Sequence, residues 1–124
     1  MTSSIFDGLS PADVARIRSA GTTLTLPQGW SPISEQTPAD KAYILEEGEV
    51  SVRRRGEEVA TLGPGQIIGE AAILNRSLRT ASVVATTPLR VIHFTGAALE
   101  RLVGEVPAFG EAVRSATAGR QGQP

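Results

Sequence analysis

The sequence predicts a mainly β domain of the rolled or barrel-like kind with helices at both ends, and three observations lead there. Residues 21–95 fall into short segments rich in Val, Ile, Leu and Thr, broken at Pro27-Gln28-Gly29, Glu47-Gly48, Arg55-Gly56 and Gly63-Pro64-Gly65, which is the rhythm of antiparallel strands. Within them Val50 and Val52 alternate with Ser51 and Arg53, the period-two pattern of a strand buried on one face. Outside them the apolar residues recur at helical spacing.

The flanking elements follow in order. Ser10-Pro11-Ala12-Asp13 supplies an N-cap, a proline at the first helical position and an acid at the third. A helix is expected over 11–20, with Val14, Ile17 and Ala20 on one stripe. Thr95 reads as the N-cap of a helix over 97–103, and a second helix begins near Pro107 with Phe109, Val113 and Ala116 in register. Between them Gly104-Glu105-Val106-Pro107 reads as a short hinge. One domain is expected over 1–118, with a disordered tail over 119–124.

Composition narrows the function. A chain of 124 residues that is 40% hydrophobic can bury one core, and without cysteine it has neither disulfides nor thiolate zinc sites. A net charge of -1 gives no general attraction to nucleic acid or anionic lipid, so anion binding would need a local site. No run approaches the ~20 apolar residues of a membrane span and no signal peptide is visible, so a cytoplasmic protein is expected. All but one of the basic residues are arginine, a bacterial-looking bias.

Several conspicuous residues read blandly. Arg53-Arg54-Arg55 precedes Gly56 and is followed by Glu57 and Glu58, which favours a solvated hairpin tip over a nucleic-acid patch. His93 faces away from Ile92 and Phe94 on a strand and is the sole histidine, so metal ligation, a metal-dependent hydrolase and acid-base catalysis are all disfavoured. No enzyme, metal or cofactor is expected. Trp30 suits an exposed turn or burial under the first helix. Phe109 and Val113 suit a lid or a homodimer interface, with packing against the roll as the default.

The informative stretch runs from Leu62 to Ala85, where a strand ends at Gly69, a run too short for a full helix follows, and a strand opens at Thr80. Backbone amides near Ala71 and Ala72 would converge on a common point that favours an anion. Small side chains at Gly69, Ala71 and Ala72 would let a ligand approach the backbone, and Arg79 offers a planar fork for two phosphate oxygens. Taken singly, Glu70 could be an acid favoured by the helix start and Arg79 its solvent-exposed partner.

The run Ile-Gly-Glu-Ala-Ala-Ile-Leu-Asn-Arg-Ser-Leu-Arg-Thr-Ala over 68–81 resembles the phosphate-binding cassette of the cyclic-nucleotide-binding domain family, with Gly69, Glu70, Ala72, Arg79 and Ala81 at its motif positions. The segments 5–14 and 43–52 resemble the family's opening helix and central strand pair. The resemblance implies an eight-stranded antiparallel, jelly-roll-like β-roll between N-terminal and C-terminal helices. It also implies that Glu70 binds the ribose 2′-hydroxyl, that Arg79 binds the cyclic phosphate, and that Gly69, Ala71 and Ala72 donate backbone hydrogen bonds. Thr80 falls where a threonine can contact guanine, a place where many bacterial cAMP binders also carry Ser or Thr. Ile68, Ala71 and Leu78 depart from the usual aromatic, larger aliphatic and proline, and Gln36 and Ala42 stand where glycine and an aromatic residue are usual.

The function implied is a cyclic-nucleotide sensor, for cAMP ahead of cGMP, that signals to an unknown effector protein. The chain has no room for a kinase or channel segment, and only about twenty residues follow Gly104, too few for a helix-turn-helix after the roll. DNA binding and membrane insertion are therefore not expected. The alternative is a protein-interaction module that keeps the fold and binds no nucleotide.

Overall fold

Strand-forming segments joined by tight turns close into two facing sheets in the computed structural model, which describes residues 4–33, 40–75, 77–79 and 81–119. In chain order the elements are α1 (Pro11–Ala20), β1 (Thr22–Leu26), β2 (Lys41–Glu47), β3 (Val50–Arg54), β4 (Glu57–Leu62), β5 (Ile67–Ile68), α2 (Glu70–Leu74), β6 (Ser82–Ala85), β7 (Leu89–Thr95), α3 (Gly96–Glu105) and α4 (Pro107–Gly119). One sheet has the order β1-β7-β2-β5 and the other β4-β3-β6, and every pairing is antiparallel. Eight strands were expected and seven occur among the described residues. Ile33, bordering residues outside the description, adds a lone bridge to Val83.

Local chemistry sets the element ends. The Asp13 amide donates to Ser10 Oγ at 3.1 Å, so α1 starts at the expected cap. Only Ile17 of its stripe is buried, with Val14 half-buried and Ala20 exposed. Charged side chains hold the rest of α1: Arg16 reaches Glu105 of α3 at 2.7 Å, and Arg18 pairs with Glu46 of β2. The β3-β4 hairpin closes on Arg55 and Gly56 at φ 55° and 82°, a two-residue turn whose twist suits the strands. The arginine run therefore ends in that turn. Trp30 is 52% exposed, which decides its two readings in favour of the exposed turn.

The four-stranded sheet divides the core in two. On its outer face Ala42 and Ile44 of β2 join Ile92 and Phe94 of β7, Ile17, and the helical residues Leu99, Leu102, Phe109 and Val113. On its inner face Tyr43, Leu45, Ile68 and Val91 meet Val50, Val52 and Val83 inside the roll. Burying each large aliphatic or aromatic side chain here contributes about 1.5–3 kcal/mol.

The expected hinge is an elbow. Thr95 caps α3, its Oγ1 accepting from the Ala98 amide at 3.1 Å. The helix then continues through Gly104 and Glu105, so Val106 alone interrupts it. Val106 is buried in the helical core, and a Cβ on Gly110 would lie 2.7 Å from the Val103 carbonyl oxygen, so α3 and α4 pack backbone to backbone. Gly119, expected in the tail, closes α4. Residues 120–124 lie outside the described residues.

Candidate anion-binding site

Residues 67–79 build the site. β5 is only two residues long and pairs Ile68 with Tyr43 and Ile67 with Ile44. Gly69 then turns the chain at φ 86° into the single helical turn α2, for which it serves as N-cap without a capping side chain. A Cβ there would meet the Lys41 carbonyl oxygen at 2.8 Å, and Arg79 Nη1 and Ile33 Cδ1 at 3.0 Å each. Conformation and space both demand glycine. The first-turn amides, those of Ala71 and Ala72 among them, have no intrahelical acceptor. Ala72 and Ala81 are buried and Ala71 is half-buried. The strand after the cassette opens at Ser82, later than the expected start at Thr80. Thr80 and Gln36 lie outside the described residues.

The two charged residues of the motif are inside the protein, which removes the surface ion-pair reading. Glu70 is fully buried and Arg79 is 3% exposed. Arg79 Nη1 donates to the Gly69 carbonyl and Nη2 to the Lys41 carbonyl, each at 2.5 Å. Its fork thus ties the cassette to the start of β2. Burial lowers the guanidinium's proton affinity, while Asp40, Tyr43 and Glu70 act in the opposite sense, and arginine stays charged throughout. Asp40 also links to the helical layer, because its carbonyl accepts from the Gly96 amide at 2.9 Å.

Sequence reasoning missed the group gathered beside Arg79. Tyr43, on the roll face of β2, feels the guanidinium: burial raises its phenol above the ordinary value, Arg79 lowers it and Asp40 raises it. His93 lies opposite Tyr43 in register, with ring centroids 5.4 Å apart at 53°. The run Asp40-Lys41-Ala42-Tyr43 was visible, but which residue of β7 it would face depends on strand register, which the sequence alone does not set.

A buried arginine, a sharp glycine turn, a short helix start and a buried carboxylate thus lie together beside the start of β2 in the β-roll. The family model of the cyclic nucleotide-binding domain matches residues 23–105, and the chain belongs to that family. A cAMP-dependent protein kinase regulatory subunit of Hypocrea atroviridis is 34% identical over 102 residues, covering 82% of this chain and 22% of that protein. A CRP-like cAMP-activated global transcriptional regulator of Mycobacterium tuberculosis is 27% identical over 112 residues, covering 86% of this chain and 50% of the regulator. Among solved structures, the Thermus thermophilus catabolite activator protein superposes with a TM-score of 0.83 at 26% identity, covering 94% of this chain and 57% of that one. The chain thus spans half or less of the length of these two curated relatives.

Proposed function

We propose that this chain is a cyclic-nucleotide sensor, with cAMP as its first ligand. The observation that carries the proposal is the cradle itself: Gly69 at φ 86°, with Glu70 and Arg79 buried beside it. In this reading Arg79 exchanges the Gly69 and Lys41 carbonyls for two oxygens of the cyclic phosphate, and the amides of Ala71 and Ala72 complete the cradle. Glu70 accepts from the ribose 2′-hydroxyl, while Ala81 and, by its motif position alone, Thr80 are assigned to the ligand. The preference for cAMP over cGMP draws on relatives described as cAMP-dependent and cAMP-activated.

Signalling to an effector protein would run through the helical layer. Ile73 of α2 is buried in one cluster with Leu99, Leu102, Phe109 and Val113, so a cassette that closes on phosphate must carry α3 and α4 with it or part from them. The deciding experiment is a calorimetric or thermal-shift screen with cAMP, cGMP, AMP and GMP, because a ligand specific to the native state raises its stability by mass action. Response to the cyclic forms alone supports the reading, and response to none overturns it. The second reading, a fold that binds a protein and no nucleotide, draws on the fork of Arg79 already holding two carbonyls at 2.5 Å. The same screen separates the two.

A further inference from the structure

The anion site has a neighbour that its motif does not include. His93 shares the roll-facing side of β7 with Leu89 and Val91, both buried in the inner core, yet His93 itself is half-exposed. Its ring packs on Tyr43, two residues along β2 from Lys41, whose carbonyl accepts from Arg79. We propose that His93 is the proton-sensitive member of this site: an anion bound at Arg79 draws a proton onto the imidazole, so the chain holds a cyclic nucleotide more tightly in mild acid. The inference rests on the nucleotide reading above.

Among the described residues the charged surroundings are few. From β2 and the residue before it, Tyr43 packs on the ring while Lys41 and Asp40 act on it electrostatically, and Arg79 and Glu70 act beyond Tyr43. β1 contributes Thr22 opposite His93 and no ionisable group. In the free chain burial holds the imidazole below its ordinary value of 6.5, Lys41 pushes the same way and Asp40 opposes. A cyclic phosphodiester keeps one negative charge across neutral pH, so the proton that moves is the protein's. Coulomb's law for two unit charges about 10 Å apart, at an effective dielectric between about 20 and 80, gives a preference for the protonated ring of roughly two- to fifteenfold, which sets the scale of the expected effect. The sign follows from linkage: the bound-state value exceeds the free one, so affinity climbs as pH falls through the bound-state value and levels off below the free value.

The test is calorimetry of the full chain with cAMP at about pH 5.5 and about pH 7.5, for wild type and His93→Gln. The acid-to-neutral affinity ratio is expected to be severalfold larger in wild type than in the variant. Comparing the two removes any protonation of Glu70, which both share. Equal ratios overturn the proposal. If neither cAMP nor cGMP binds, the nucleotide reading has failed and the linkage is tested alone, by nuclear magnetic resonance titration of the His93 ring in sulfate and in chloride at matched ionic strength. A higher midpoint in sulfate supports the inference, and an unchanged or lower one overturns it.

Discussion

Replacing Gly69 by alanine separates backbone strain from steric contact, because the chain contains its own controls. Gly29, Gly56 and Gly69 sit at φ 87°, 82° and 86°, and a Cβ at either of the first two meets nothing within 4 Å. Alanine in this left-handed region costs about 1–2 kcal/mol at each position. At Gly69 the new methyl also approaches the Lys41 carbonyl oxygen to 2.8 Å and Arg79 Nη1 to 3.0 Å. The carbonyl belongs to a strand paired with β7 over six positions and has little room to yield, so a further 1–3 kcal/mol, roughly the cost of overpacking, is expected. Urea unfolding of the three variants, read as midpoints at constant slope, measures the difference directly. Nucleotide affinity should fall for Gly69→Ala alone. If Gly69→Ala is no less stable than Gly29→Ala and Gly56→Ala, the close packing of the cassette against β2 is wrong.

Arg79→Ala should fold with stability reduced by about 1–3 kcal/mol, since the buried Gly69 carbonyl and the part-buried Lys41 carbonyl lose their donor, and should lose on the order of 2–5 kcal/mol of nucleotide affinity. Wild-type affinity in the folded variant refutes the assignment of the phosphate to Arg79. Because the folded-state value of His93 lies below 6.5, its contribution to stability is present above that pH and lost as pH falls through 6.5 toward the folded value. His93→Gln should flatten that part of the stability profile, and a superimposable profile refutes it. Saturation with cAMP should change amide exchange protection in residues 69–75 and also in α3 and α4. A change confined to the cassette marks a passive binder.

Features set by neighbouring residues were legible in the sequence, and features set by distant pairing were not. The Ser10 and Thr95 caps, the Arg55-Gly56 turn and the glycine before α2 each depend on a few consecutive residues, and each stands where expected. The extent of α3 was underestimated because Gly104 disfavours a helix interior by about 1 kcal/mol, a cost offset here by packing of Leu99 and Leu102 in the core. The stripe on α1 failed at Ala20 because that end of the helix is held by the Arg18 to Glu46 pair and presents little apolar surface. Arg79 was found as a motif residue, but its two carbonyl partners lie 10 and 38 positions away. Nothing local in the sequence marks them.

The same long-range contacts constrain how a ligand could be sensed. The roll is a poor moving part, since its strands are tied by antiparallel ladders, and Val106 in the elbow is buried. A ligand can shift the helical layer only by its differential affinity for two arrangements, and a swing from 1:99 to 99:1 needs about 5.5 kcal/mol of it. Among the described residues, two features couple the cradle to that layer: Ile73 lies in one buried cluster with Phe109 and Val113, and Arg79 is bound to the Lys41 carbonyl next to Asp40, which holds the start of α3. The first transmits displacement of α2 through packing. The second would change if a ligand phosphate took the guanidinium from the Lys41 carbonyl, as proposed. For a ligand seated in the cassette, these junctions are routes by which binding can reach α3 and α4. Trimming Ile73 to Val, which typically costs about 0.5–1.5 kcal/mol of core packing, weakens the packing junction while leaving the cradle's polar groups in place.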